Sequence, residues 1–287
     1  MLGLLGVVVL CGMVFGGFAL TGGALGPVFE GIMHESIVIG GAAVGAFMLG
    51  NSMGTIKNVG GAVGKCFSGP KWKKEDYIGA VLIITGVAKI LKAEGAVALE
   101  QHVENPESSS LFADQPRLVK DHFFVSMVCD TLRLLVVSSN APEPSQIEDI
   151  MDRSIKEHHH ESLKPGDALQ SMADAMPALG IVAAVLGVIK TMGSVDQPPP
   201  ILGAMIGSAL TGTFLGVFLA YGIIGPMASR YKDVVNEEGL MYLLVRDGLS
   251  LYLKGASQPI IIEAARRMIP HHHQPTFGEL FEAARGK

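Results

Sequence analysis

The chain has 287 residues, of which 49% are hydrophobic and 17% are charged, and its formal net charge is −5. This composition, with a mean hydropathy of +0.40, is too apolar for an ordinary soluble domain and favours a multi-pass membrane protein. The basic residues are scattered, which argues against a nucleic-acid-binding surface. Three cysteines without a CxxC spacing predict neither a disulfide framework nor a cysteine metal site.

Two apolar, uncharged segments near the amino terminus predict a first transmembrane hairpin. The first spans about Leu2 to Thr21. A cleaved signal peptide is the alternative, but no lysine or arginine precedes the apolar core and a second apolar run follows at once. That second run spans Ser36 to Ile56, and the segment Thr21–Glu35 between them is predicted to form a short turn.

Two further apolar segments predict a second hairpin. Ala175–Val195 contains "PALGIVAAVLGVIKTMG" and is long enough to cross a bilayer if Lys190 reaches the interface. A buried helix of a soluble domain is the alternative for this segment alone. Ile201–Pro226 follows after "DQPPP", whose prolines end one helix and precede the next.

The charges that flank these segments predict their orientation. Neither short turn contains lysine or arginine, whereas five lysines follow the second span, and Arg230 and Lys232 follow the fourth. The positive-inside rule therefore places both turns outside the cytoplasm and both termini and the middle segment inside it. The predicted parts are a hairpin at 1–56, a cytoplasmic helical domain at 57–173, a second hairpin at 174–227 and cytoplasmic C-terminal helices at 228–287.

The segments outside the membrane also have helical patterns. No strand-like alternation is strong enough to predict a sheet. We therefore expect an all-α integral membrane protein with four transmembrane helices in two hairpins and a helical cytoplasmic domain. The runs of helical length are Tyr77–Gln101, Arg117–Ser139 (followed by the stop "NAPEPS"), Gln146–Glu161, Tyr231–Leu253 and Ser257–Met268.

The four predicted spans contain no carboxylate. Glu30 and Glu35 are expected to flank an outer edge, and Asp174 an inner edge. An intramembrane carboxylate is the usual sign of a proton or cation site. Either the protein moves no ions, or another chain supplies the acid.

Glycine and alanine are frequent in the predicted spans, and small residues allow close helix packing in lipid. Packing within the chain accounts for some of them, and whether one small-residue face meets a second protein stays open. The small residues are the GxxxG pairs Gly41/Gly45 and Gly212/Gly216, and Gly180, Ala183, Ala184 and Gly187 on one side of the third span.

The stretch "MPALGIVAAVLGVIKTMGS", followed by "LGAMIGSALTGTFLGVFLAYGIIGPMAS", resembles the last two spans of flagellar stator subunits in the MotA/TolQ/ExbB family. The resemblance extends to the glycine-rich first hairpin, "AVALEQHVENP" and "QPTFGELFEAAR", and so covers essentially the whole chain. It implies a homo-oligomeric ring in the bacterial inner membrane. The ring would surround a single-span, peptidoglycan-anchored partner of the MotB type, whose aspartate takes and releases protons. Ion flow would turn the rotor protein FliG without covalent chemistry or a cofactor, so no enzyme activity is expected.

The resemblance also assigns roles to residues. Pro177 and Pro226 match prolines at the inner ends of the third and fourth spans, and Pro177 would couple protonation of the partner to conformational change. Thr213 matches a threonine that faces the ion pathway. Ala184 and Gly212 stand where sodium-driven relatives carry threonine, so protons are the expected ion. The alternatives are a proline that only starts a helix and a threonine that bonds back to its own helix.

In the middle segment, Lys92 and Glu100 keep the eight-residue spacing of the family's rotor-facing arginine and glutamate. Lysine keeps the charge but loses the planar fork, so a long-range electrostatic contact survives the change better than a bidentate one. An ordinary solvated face is the alternative. Two histidine triplets, at 158–160 and 271–273, could bind metal. Neither has an acidic or cysteine partner at a fixed spacing, so no metal site is predicted.

Three other functions compete with a stator. An energiser of outer-membrane processes, of the ExbB/TolQ type, shares the features of the last two spans, but four spans and the first hairpin favour the stator. A self-contained transporter is expected to carry a buried charge or a broken-helix ion site, which the predicted spans do not. A passive membrane scaffold is the third.

Overall fold

A computed structural model describes residues 2–138 and 142–286, and all regular structure in these ranges is helical. The all-α prediction is confirmed. The chain divides into two compact units. Unit 1 comprises Met1–Gly69 and Leu163–Val234, and unit 2 comprises Pro70–Ser162 and Val235–Lys287. The domain boundaries predicted above depend on where the chain crosses the membrane. The two compact units do not test this, so the predicted boundaries stay a prediction.

The first hairpin of unit 1 begins with helix α1 (Leu2–Cys11), which continues through a π-helical turn at Gly12–Gly16 into α2 (Gly17–Leu20). After a tight turn containing Gly22, whose φ is +89°, helix α3 runs over Leu25–Gly50. Both segments are apolar and long enough to cross a membrane. The hairpin is therefore confirmed.

The bounds predicted for the second span, Ser36 to Ile56, are wrong at both ends. Helix α3 begins eleven residues earlier, at Leu25, because the segment expected to be a turn is helical and the chain reverses before it. It ends at Gly50. The side-chain oxygen of Ser52 then accepts a hydrogen bond from the backbone nitrogen of Thr55, 3.2 Å away, and so caps a separate helix α4 (Met53–Ser68).

The second hairpin of unit 1 is built from parts of two long helices. Helix α9 (Pro144–Met192) contains the predicted third span, Ala175–Val195, except for its last three residues. Helix α10 (Pro199–Val217) continues through a π-helical segment, Phe218–Ile224, into α11 (Gly225–Leu253) and includes the fourth. Both contain windows apolar enough to cross a membrane. The number and order of predicted spans are therefore confirmed, although the helices extend beyond them.

Unit 2 contains the remaining helices, and its core is formed by large buried side chains such as Tyr77, Phe124 and Leu132. The predicted helix Tyr77–Gln101 is interrupted at Glu94 and Gly95, because Gly95 has a φ of +83° that a helix does not allow. Ser139 and the first residues of the predicted "NAPEPS" stop lie outside the described residues. The helices are α5 (Lys74–Ala93), α6 (Glu100–Glu104), α7 (Pro116–Val119), α8 (His122–Val137), α12 (Gln258–Met268) and α13 (Phe277–Gly286).

A polar network holds the start of α8 in unit 2. Asp121 caps α8 by accepting a hydrogen bond from the backbone of Phe124 at 2.8 Å, and it also pairs with Lys71. The hydroxyl of Tyr242, in α11, donates to Asp121 at 3.3 Å, and Lys71 donates to the same hydroxyl at 3.2 Å. Burial, and then the charge of Asp121, raises the pKa of Tyr242, so the phenol stays protonated as a donor.

Candidate ion-coupling site

Helices α9 and α10 approach one another at backbone distance. A β-carbon built on Gly216 would lie 2.6 Å from the carbonyl oxygen of Met176 and 3.0 Å from the α-carbon of Gly180. One built on Gly180 would lie 2.8 Å from the carbonyl oxygen of Gly212. A side chain at Gly180 or Gly216 would push the helices apart. The Gly212/Gly216 pair is thus used for packing within the chain, as small residues are in lipid.

Pro177 lies in the interior of α9, beside this contact. It cannot be the residue that starts the helix, because α9 begins at Pro144, so the alternative of a plain helix-start proline is wrong. Proline has no backbone N–H and therefore removes one hydrogen bond from the helix at that turn. The preceding residue, Met176, is the one whose carbonyl oxygen faces Gly216. The turn of α9 that lacks a hydrogen bond thus lies at the close contact between α9 and α10.

Ala184 and Gly212 are brought together across the same pair of helices. A β-carbon on Gly212 would lie 3.4 Å from the backbone nitrogen of Ala184 and 3.3 Å from the β-carbon of Ala183. Thr213 is half-buried, with its α-carbon 3.4 Å from the position of a β-carbon on Gly180. The three ion-pathway residues predicted from the sequence therefore lie on the two facing helices near one another.

Pro226 lies elsewhere, as the second residue of α11, and its side chain is exposed. It directly follows the seven-residue π-helical segment Phe218–Ile224. A proline lacks the N–H that an α-helical bond requires, and π-turns are one way in which a helix accommodates such a change. The fourth span therefore has its own irregular turn next to its proline.

A carboxylate that was expected at the outer edge of the second span lies within the helix that is the candidate for that span. Glu35 belongs to α3, is 8% exposed, and its Oε2 lies 3.2 Å from the position of a β-carbon on Gly212. It precedes the helix end at Gly50 by 15 residues, which is about 22 Å along a helix and within the roughly 30 Å of a bilayer core. The helix start expected at Ser36 is therefore wrong, and the candidate span that begins at Leu25 contains this carboxylate.

The other GxxxG pair makes no close contact with the part of the chain that the structure describes. A β-carbon on Gly41 or Gly45 of α3 would meet nothing within 4 Å among the described residues. Large apolar side chains on the same helix, such as Leu49 and Ile37, are exposed. This face of α3 is consequently available to lipid or to another chain.

Lys92 and Glu100, the predicted rotor-facing pair, lie in unit 2. Lys92 is in the last turn of α5 and Glu100 is the first residue of α6, and both side chains are exposed. The break at Gly95 separates their helices, and they form no ion pair with one another among the described residues. Their exposure fits a contact surface and a solvated face equally well.

Sequence reasoning missed Glu35, and one signal could have found it. Gly31, four residues before Glu35, would place a β-carbon 2.7 Å from Oγ1 of Thr211 in α10, so the Gly31/Glu35 face of α3 is the face that packs on α10. Residues four positions apart lie on the same face of a helix, so the two belong to one face. The polar composition of the segment instead suggested a turn.

Two hairpins, with the second built on a backbone-to-backbone contact between apolar helices, define a membrane protein whose spans pack through small residues. Sequence profiles identify the class: "MotA/TolQ/ExbB proton channel family" matches residues 117–242, and "Motility protein A N-terminal" matches residues 4–95. The chain belongs to the motility protein A branch of this family.

Relatives match along nearly the whole chain. Motility protein A of Salmonella typhimurium is 37% identical over 285 residues, which cover 99% of this chain and 95% of the relative. Motility protein A of Escherichia coli has the same identity and coverage. Chemotaxis protein LafT of Vibrio parahaemolyticus is 31% identical over 96% of this chain and 95% of the relative.

Solved structures share the fold. The structure of Campylobacter jejuni MotAB superposes with a TM-score of 0.73 at 18% identity, covering 94% of this chain and 95% of that chain. The flagellar MotAB stator complex of Bacillus subtilis superposes with a TM-score of 0.69 at 20% identity, covering 91% and 92%.

Proposed function

We propose that this chain is a stator subunit of the bacterial flagellar motor, which assembles with a MotB-type partner and converts ion flow into torque. The observation that carries the proposal is the family match along nearly the whole length, joined to the close contact of α9 and α10 around Pro177. An ExbB/TolQ-type energiser is less favoured because the amino-terminal profile, residues 4–95, is that of motility protein A.

The assembly is a homo-oligomeric ring around the partner's single transmembrane helices. The open face of α3, with Gly41 and Gly45, supports contact with a neighbouring subunit. The subunit lies in the inner membrane with both termini and the large middle segment in the cytoplasm, as the lysines and arginines around the spans predict. The partner is anchored to peptidoglycan and supplies the aspartate that takes and releases protons.

Protonation of that aspartate moves this subunit through the turn at Pro177. A missing backbone hydrogen bond makes the turn easier to bend than its neighbours, and the adjacent carbonyl of Met176 faces Gly216 at close range. Because the residues at the contact are small, the two backbones touch, and a shift of α9 displaces α10 directly. The motion reaches the rotor protein FliG through exposed charges that include Lys92 and Glu100.

Replacing Pro177 tests the coupling, because α9 offers a matched control. Pro165 is a second interior proline of the same helix, outside the α9–α10 contact. We expect Pro177→Ala, expressed in a strain lacking its own motility protein A, to retain the partner on co-purification but to abolish rotation of tethered cells. Pro165→Ala should keep both. Normal rotation of Pro177→Ala would contradict the coupling role, and loss of rotation by both variants would show that any interior proline is needed.

The transported ion is the proton. Ala184 and Gly212 face one another without a hydroxyl that could replace the hydration shell of sodium. A threonine at position 212 would also crowd Ala183 and Glu35, which lie 3.3 and 3.2 Å from its β-carbon. We expect swimming to stop with a protonophore at any external sodium concentration. Swimming that tracks external sodium and survives the protonophore would contradict this.

A further inference from the structure

Two histidines and a carboxylate come together in unit 2. The ligand atoms of Glu237, in α11, and of His272 and His273, in the turn between α12 and α13, all lie within 4.8 Å of one another. The sequence spacing did not reveal this group, because the acid precedes the histidines by 35 residues. The fold supplies the acidic partner that the second histidine triplet lacks locally.

The turn that carries the histidines is held in place by hydrogen bonds. The backbone nitrogen of His273 donates to the carbonyl of Pro270 at 2.8 Å. The side chain of Gln274 donates to the carbonyl of Arg266, in α12, at 2.9 Å. The His273 ring packs at 6.1 Å from the ring of buried Tyr77. Two of the three histidines are thereby placed at Glu237, whereas His271 is not part of the group.

One carboxylate oxygen of Glu237 is buried without a hydrogen bond. Oε1 is fully buried and accepts no hydrogen bond from the described residues. Nε2 of His272 lies 2.9 Å away, within ion-pair distance when that ring is protonated, but it donates no hydrogen bond to this oxygen. A buried carboxylate oxygen without a bond costs free energy, and an ion is one of the partners that can satisfy it.

We propose that Glu237, His272 and His273 bind one divalent transition-metal ion of the zinc type. Two imidazole nitrogens and one carboxylate oxygen form a known zinc ligand set that leaves a fourth position for water. Bonds of about 2.0–2.2 Å place tetrahedral ligand atoms roughly 3.3 Å apart. The 2.9 Å between Nε2 of His272 and Oε1 of Glu237 would lengthen slightly, and the remaining separations would shorten from at most 4.8 Å, by rotation of the side chains. Magnesium and calcium prefer all-oxygen sites of higher coordination number.

The ion would link the histidine turn, and with it the carboxyl-terminal part of the chain, to α11. Helix α13 follows the histidine turn and packs on α5, where Lys89 donates to the carbonyl of Ala284 at 3.1 Å and Lys74 pairs with Glu279 at 3.1 Å. The position of α13 therefore depends on the turn before it. Metal binding stabilises that turn and, through it, the docking of α13.

Zinc binding to the full-length chain, purified in detergent without a histidine tag and stripped of metal, tests the site. Isothermal titration should show one equivalent of Zn²⁺ bound with a dissociation constant in the micromolar range or tighter, and no binding of Mg²⁺. We expect Glu237→Gln, His272→Gln and His273→Gln each to weaken binding at least about tenfold, as loss of a ligand does. His271→Gln is the matched control and should bind as the parent does.

Hydrogen–deuterium exchange provides a second measurement that does not depend on stoichiometry. Zinc should slow exchange of amides 269–286 in the parent and in His271→Gln, but not in His272→Gln, whose exposed side chain can be replaced without disturbing the core. The proposal is overturned if the parent binds no zinc, if Glu237→Gln binds as tightly as the parent, or if His271→Gln weakens binding as much as His272→Gln does.

Discussion

Unit 1 buries more small side chains than unit 2 does, although its Ile39 is also 0% exposed. In unit 1 the buried positions include Ala183 and Ala220, while large residues such as Leu49, which is 92% exposed, lie on the surface. In unit 2 the most buried side chains are large, such as Tyr77 and Phe124. Burial of apolar area stabilises a domain in water by about 25 cal/mol per Å². Lipid offers no such gain, so close backbone contact takes its place in unit 1.

The units also treat buried carboxylates differently. Asp76 of unit 2 is 5% exposed, lies 3.3 Å from a guanidinium nitrogen of Arg117, and accepts a hydrogen bond from the backbone of Lys73 at 2.7 Å. Glu35 of unit 1 is similarly buried but accepts no hydrogen bond from the described residues. A paired carboxylate is typical of structure, whereas a carboxylate without a hydrogen bond in a candidate membrane helix is a hypothesis of a functional site.

The largest expected effect follows from emptying the core of unit 2. Phe124→Ala removes a ring that is 0% exposed and should cost about 3–5 kcal/mol. Hydrogen–deuterium exchange of the full-length protein should show loss of protection in α8, while amides at the α9–α10 contact keep theirs. Val137→Ala, on the same helix but 68% exposed, is the control. Equal effects of the two variants would contradict the core described for unit 2.

In unit 1, adding a side chain at a close helix contact is expected to destabilise the fold, whereas in unit 2 removing one does. Gly216→Val would place its β-carbon 2.6 Å from the carbonyl of Met176, and overpacking of this kind costs about 1–3 kcal/mol. We expect less folded protein in the membrane and impaired motility. Gly41→Val is the control for folding, since its β-carbon would meet nothing within 4 Å among the described residues. If Gly41→Val also lowers the hydrogen–deuterium exchange protection of the α9–α10 contact, the contrast between the two glycine pairs fails.

A close helix contact at Gly212 and Gly216 was predictable, because a GxxxG spacing indicates that another helix approaches closely. Which of the two GxxxG pairs would contact another helix of the same chain was not predictable, since this depends on how the helices are arranged.

The second span shows a different limit of the sequence-based prediction. Polar residues around Glu30 and Glu35 suggested a turn, yet helix ends follow backbone signals: glycines at Gly22 and Gly23 before α3, and Gly50 with the cap Ser52 after it. Glu237 and His272 could not be paired at all, because sequence separation carries no information about such a contact.

Glu35 is expected to have an intermediate effect, on ion flow rather than on folding. Glu35→Gln keeps the shape beside Gly212 and removes the charge, which otherwise raises the local concentration of cations. Proton flux and swimming speed should fall severalfold, with normal co-purification of the partner. Glu30→Gln, exposed on the same helix, should leave both unchanged. Unchanged flux in Glu35→Gln would reduce this carboxylate to a packing role.

The smallest expected effect is a pH dependence confined to unit 2. His158 stacks on Phe123 with ring centroids 3.7 Å apart, and burial lowers the pKa of His158 below its ordinary value, against the opposing charge of Asp121. The unfolded chain therefore binds the proton at higher pH than the folded one. The stabilisation from the neutral ring is complete above the ordinary histidine pKa of about 6.5 and is lost as the pH falls through the lowered value.

His158→Phe should keep the stacking and remove this dependence. Protection of α8 amides, corrected for the intrinsic pH dependence of exchange, should fall between about pH 7.5 and pH 5.5 in the parent and should fall less in His158→Phe. His160→Phe, an exposed member of the same histidine triplet, should behave as the parent does. The same pH dependence in all three proteins would assign the titration to other groups, whereas its loss in His158→Phe alone would show that one stacked imidazole makes unit 2 sensitive to pH.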